Sequence, residues 1–82
     1  MNKETIISYN LIVILVMAFI YSYIGKDHFN HNDNLNSFTD FLYYSIITHV
    51  SIGYGEITPK TRTAKQLVSV HGLIMLYLII QF

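Results

Sequence analysis

One short run holds the residues whose types and spacing ask for a chemical explanation: Thr48-His49-Val50-Ser51-Ile52-Gly53-Tyr54-Gly55-Glu56. Two glycines flank one tyrosine, and glycine takes positive φ without a Cβ clash. Such a run can turn its backbone carbonyls in directions an ordinary strand does not allow. The other candidates carry less. Asp27, His28, His31 and Asp33 crowd one stretch, but their spacing matches no compact metal site, and a solvated loop accounts for them. Serine, threonine, histidine and aspartate occur without a nucleophile–base–acid pattern, so an enzyme is not expected. Cysteine is absent, which removes disulfides and thiolate metal sites. The formal net charge is zero and the basic residues are scattered, so nucleic acid is not an expected partner.

The elements that must position this run are set by hydropathy. Hydrophobic residues make up 52% of the chain and charged residues only 12%, well under the roughly 25% charged of a soluble domain. No charge falls between Thr5 and Ile24, and none follows Lys65 except the terminal carboxylate. Ile6 to Ile24 is an apolar run of about 19 residues, roughly 28 Å as a helix, which predicts a membrane span. Asn10 is its one strongly polar member. Tyr21 and Tyr23 are expected at the headgroup level. A signal peptide is the competing reading, but the run is long for one and no small-x-small cleavage pattern follows it. A second span is expected over about 64–82, with the Phe82 carboxylate at the far interface.

Between the spans, 25–36 is polar and rich in turn formers. Ser37-Phe38-Thr39-Asp40 reads as a capping box, opening a helix from Phe38 to about His49. Roughly 12 residues, or 18 Å, is too short to cross a bilayer and suits a re-entrant helix. Broken backbone at membrane depth is tolerated only where protein or a watery cavity covers it. One hairpin cannot give that cover, so an oligomer is expected.

In this setting THVSIGYGE resembles the potassium-channel signature T-x-x-T-V-G-Y-G-D. The whole chain is similar to the miniature potassium channels encoded by large viruses of algae. The resemblance implies an all-α membrane protein: two transmembrane helices with a re-entrant pore helix and a selectivity filter, assembled as a homotetramer. Residues 1–82 then form one pore domain, with an outer helix at about 6–24, turret 25–36, pore helix about 38–49, filter 51–55 and inner helix about 64–82. It implies passive K+ conduction, K+ as the permeant ion with no cofactor, block by Ba2+, and a place in the host cell membrane, with the virion internal membrane as the alternative. Stacked carbonyl rings from four subunits replace the ion's water shell. By resemblance the carbonyls of Ser51, Ile52, Gly53 and Tyr54 line the filter closed by Gly55, and the Ser51 hydroxyl completes the innermost cage.

Several positions depart from the pattern or stand beside it. Ser51 replaces the usual threonine and Ile52 the usual valine, which leaves a nonselective monovalent cation channel as the alternative; a noncatalytic membrane adaptor is a third reading. Glu56 replaces aspartate, and the pore-helix position that pairs with that acid in some relatives is Ile47. Glu56 therefore either concentrates cations at the outer mouth or is a plain surface charge. Tyr54 is expected to pack on a pore helix near Tyr44, and Thr48 to bond backbone behind the filter. Pro59 suits a loop or a first helical turn. On the inner helix Gly72 is a hinge or a packing point. Ser69 stands out as polar, and His71 is either a pH-sensitive group or, as preferred, a neutral histidine hydrogen-bonded within the bundle. Met75, Leu76 and Ile79 are expected to line the cavity, with Phe82 at an inner gate. Lys26, Lys60, Arg62 and Lys65 lie outside in the family topology, the reverse of the positive-inside tendency; the topology is followed because the filter mouth faces outward.

Overall fold

The computed structural model describes residues 2–31, 35–50, 53, 55 and 57–81. Helix α1 runs Lys3–Ile24 and is followed by one 3-10 turn, Lys26–His28, and the two-residue strand β1, Phe29–Asn30. Helix α2 spans Phe38–His49, β2 is Thr58–Pro59, and α3 spans Arg62–Gln81. Helix α1 starts ahead of the apolar run because its first turn is set by polar groups. The Asn2 side chain accepts from the Thr5 N–H at 2.8 Å, and Glu4 lies at the positive end of the helix dipole. The helix stops at Gly25, whose φ of 91° needs no Cβ and whose N–H donates to the Tyr21 carbonyl.

Both long helices are long and apolar enough to cross a membrane, yet only 22% of the apolar window of α1 and 17% of that of α3 is buried. A core helix of a soluble domain would be mostly covered. Here Leu11, Leu15, Phe19, Leu73, Leu76 and Ile80 all lie open, so these faces need an apolar surrounding.

Helix α2 packs against both, more extensively against α1. Ser37 and Asp40 form the reciprocal cap at its start, with Asp40 Oδ2 accepting from the amides of Asn36 at 2.9 Å and Ser37 at 3.2 Å. On its inner face the Ser45 hydroxyl donates to the Ile14 carbonyl at 2.7 Å. The core gathers where α1, α2 and the start of α3 meet: Met17, Tyr21, Phe29, Leu35, Phe41, Tyr44, Ile47, Ile57 and Ala64. Its centre is aromatic. Tyr21 meets Phe29 and Tyr44 edge-on at 5.7 and 5.3 Å, and Phe29 meets Tyr44 at 5.2 Å.

The loop before α2 is stitched to the chain before α3. Strands β1 and β2 pair antiparallel, Phe29 with Pro59 and Asn30 with Thr58. Pro59 thus sits in a two-stranded ribbon, where both strands are edges and a missing N–H is tolerated. The Lys60 N–H donates to the His28 carbonyl at 2.8 Å. Thr61 caps α3 by accepting from the Ala64 N–H at 3.2 Å, and its hydroxyl also bonds His28 Nδ1 at 2.6 Å.

One expectation is corrected. Tyr21 is not a headgroup anchor: it is fully buried, while Tyr23 is 91% exposed. Two residues are about 200° apart on a helix, so both rings cannot face the same way. Tyr21→Ala is expected to destabilise the folded protein by about 3–5 kcal/mol, and Tyr23→Ala by less than about 0.5 kcal/mol. Thermal denaturation in detergent, followed by circular dichroism, checks the contrast.

Candidate functional site

Helix α2 delivers the chain to the glycine pair. His49 is its last residue, and the Val50 N–H still donates to the Ile46 carbonyl at 3.0 Å. Next the Gly53 N–H turns back onto the Ile47 carbonyl at 3.3 Å. Gly53 and Gly55 both take positive φ, 54° and 88°. A Cβ added at either would meet nothing within 4 Å, so the demand for glycine comes from backbone conformation. For an L-residue that conformation costs about 1–2 kcal/mol. Helix α2 also ends here with its carbonyl pole, equivalent to roughly half a negative charge, which favours a cation nearby. Ser51, Ile52, Tyr54 and Glu56 lie outside the described residues, as does Phe82.

Two of the named supports flank this segment. Tyr44 is buried among Tyr21 and Phe29, and the Thr48 side chain hydrogen-bonds to it one helical turn on. Tyr44, Thr48, Gly53, Gly55, Ile57 and Val68 line one cavity of about 270 Å³. Ser37 and Asp40 lie at the opposite end of α2. Of the residues expected along the conduction path, Ser69, Leu76 and Ile79 are exposed, and the Ser69 hydroxyl bonds back to the Lys65 carbonyl at 2.7 Å. Met75 is half-buried, as is Gly72, which has room for a methyl group within this chain. None of these lines the cavity beside Gly53 and Gly55.

A second cluster joins all three helices. The Tyr21 hydroxyl meets His71 Nδ1 at 2.8 Å, and His71 Nε2 meets His49 Nδ1 at 3.0 Å. His49 Nε2 then meets Asn10 Oδ1 at 2.6 Å, and Asn10 Nδ2 donates to the Ile6 carbonyl at 2.7 Å. His71 is fully buried and bonded at both nitrogens, as the preferred sequence reading had it. Asn10 and His49 were missed as its partners. The available signal was the rule itself: a polar side chain in an apolar segment needs a partner, and three such residues are each other's nearest solution.

A family model described as "Ion channel" matches residues 9–82, taking in most of α1, all of α2 and α3, and the glycine pair. The chain belongs to this ion-channel family. It is 37% identical over 73 residues to "Two-pore potassium channel 4" of Arabidopsis thaliana, covering 84% of this chain and 25% of the relative. It is 35% identical over 60 residues to the "Hyperpolarization-activated voltage-gated potassium channel" of Methanocaldococcus jannaschii, covering 72% and 29%. Against "Potassium channel protein kcv" of Paramecium bursaria Chlorella virus 1 the identity is 26% over 76 residues, covering 87% and 81%. The chain thus spans a quarter to a third of the first two relatives and most of the third. With two apolar helices of spanning length, this channel-family chain is an integral, multi-pass membrane protein. Among the described residues no group of three or more His, Cys, Asp or Glu is placed to hold a metal ion.

Because the positive φ at Gly53 is the constraint, Gly53→Ala is expected to abolish current while leaving both spans inserted. Planar-bilayer recording alongside a protease-protection assay of membrane topology separates the two; full current from the variant would remove the glycine requirement.

Proposed function

We propose that this chain is one subunit of a homotetrameric, potassium-selective channel. The observation that carries the reading is the glycine pair: positive φ at Gly53 and Gly55, with one residue between them, a few residues after a capped 12-residue helix that lies between two spanning helices. In the proposed pore the carbonyls of Ser51, Ile52, Gly53 and Tyr54 from four copies replace the hydration shell of K+. The Ser51 hydroxyl adds a ligand at the inner end. The negative end of α2 lowers the cost of dehydration from behind, and Thr48 and Tyr44 support the strand from the cavity they share with Gly53 and Gly55. Three relatives named as potassium channels support K+ as the permeant ion. The viral relative, of which the chain covers 81%, supports a viral channel; the proposed location is the host cell membrane or the virion internal membrane.

The fourfold assembly follows from cover. A single chain leaves the large apolar faces of α1 and α3 open, and its short helix and glycine segment need shelter at membrane depth. In a fourfold bundle the inner-helix face carrying Ser69, Gly72, Leu76 and Ile79 would turn to the cavity, with Met75 beside it and Phe82 at the inner mouth. Ser51 and Ile52 keep every ligand oxygen of the common filter, which favours selectivity over nonselective conduction.

Purified protein in a planar bilayer, with K+ on one side and Na+ on the other, decides between them. The expected reversal lies far from zero in the direction set by K+ permeation, about 59 mV for each tenfold in permeability ratio, with block by Ba2+. Robust current reversing near zero would replace this reading with a nonselective cation channel. If Glu56 focuses cations at the outer mouth, Glu56→Gln lowers single-channel conductance at 10 mM-order salt, where the Debye length is about 30 Å, and much less at about 1 M. Unchanged conductance at low salt makes Glu56 a plain surface charge.

A further inference from the structure

We infer that Asn10 and His71 are positioning residues for the ion pathway, holding His49, and through it the start of the filter, by a hydrogen-bond chain of fixed direction. The inference rests on the channel reading above.

For neutral rings, the direction follows from donors and acceptors. Asn10 Nδ2 donates to the Ile6 carbonyl at 2.7 Å. Turning the amide over would set two acceptors against each other, so Asn10 presents Oδ1 to His49. His49 Nε2, 2.6 Å from that oxygen, must therefore carry hydrogen. A neutral His49 then has a bare Nδ1, which accepts from His71 Nε2 at 3.0 Å. That leaves His71 Nδ1 bare, and the Tyr21 hydroxyl donates to it at 2.8 Å. With both imidazoles neutral, each acts once as donor and once as acceptor, and both take the Nε2–H tautomer. Among the described residues no charged side chain joins the chain.

Its location gives it a role. His49 ends α2, and only Val50 separates it from Ser51. The outer helix holds one ring nitrogen and the inner helix the other, so the end of α2 is held from both sides. Rings at 95% or more burial have no water to replace a lost partner. A displacement of the inner helix at His71 is thus passed to the residue two positions ahead of the first proposed filter ligand, along bonds that exist in one arrangement only.

The test compares His71→Phe, which keeps a ring but neither nitrogen, with His71→Gln, which keeps one donor and one acceptor. Asn10→Leu breaks the chain at its other end and makes the first span more apolar, so insertion is preserved if His71→Phe fails to assemble. With wild type selective for K+ over Na+, His71→Phe and Asn10→Leu are each expected to lose at least about tenfold in permeability ratio, about 59 mV of reversal potential. His71→Gln recovers part of that loss, and the double variant His71→Phe/Asn10→Leu is no worse than the more severe single one, because both break the same unit. Imidazole ¹⁵N resonances in wild type should report Nε2–H for both histidines, with His49 released from that tautomer in Asn10→Leu. Wild-type selectivity in both breaking variants, or an Nδ1–H tautomer at either ring, overturns the inference and leaves the channel reading intact. A wild type that reverses near zero sinks the proposed function and this inference with it.

Discussion

The structure depends on one constraint: at membrane depth, water does not supply the hydrogen bonds that backbone and polar side chains lose. Two uninterrupted helices satisfy it internally. The stretch between them cannot, because α2 is too short to span and the chain beyond it bends through two left-handed glycines. Every feature packed around that stretch answers the same need. Ser37 and Asp40 satisfy amides at the start of α2, Ser45 finds the Ile14 carbonyl, Gly53 returns to the Ile47 carbonyl, and the β1–β2 ribbon pairs backbone at the outer end. The aromatic centre of Tyr21, Phe29 and Tyr44 fills the space between them with large, stiff rings.

Local signals carried much of this in the sequence. The two apolar runs, the S-x-x-D box before Phe38 and the G-x-G spacing each lie within a few residues, where periodicity and capping chemistry act. What depends on partners far along the chain was harder to read. The direction of Tyr21 is set by Phe29 and Tyr44, not by its distance from the end of the span, so hydropathy sent it to the wrong surface. The ribbon of Phe29–Asn30 with Thr58–Pro59 is too short to leave an alternating pattern, and one of its members is a proline that argues against a strand. The start of α1 at Lys3 comes from the Asn2 cap and Glu4, neither of which an apolar window can detect.

The polar trio shows the same limit at the site. Asn10, His49 and His71 each sit on a different helix, and each alone has a bland explanation. Only their meeting turns three isolated residues into a continuous path from the outer helix to the inner one. The middle member, His49, ends α2 two residues before the proposed filter.

The order of synthesis gives the Asn10 bond to Ile6 a second meaning. A nascent chain emerges from its N-terminus, so α1 is made before α2 and α3. Asn10 can travel alone at tolerable cost because its amide already hydrogen-bonds to a carbonyl one turn back on its own helix. His71 has no such provision among its bonds: both of its partners, Tyr21 and His49, belong to helices made earlier. Helix α3 thus carries a group whose bonds are complete only when α1 and α2 are both packed against it.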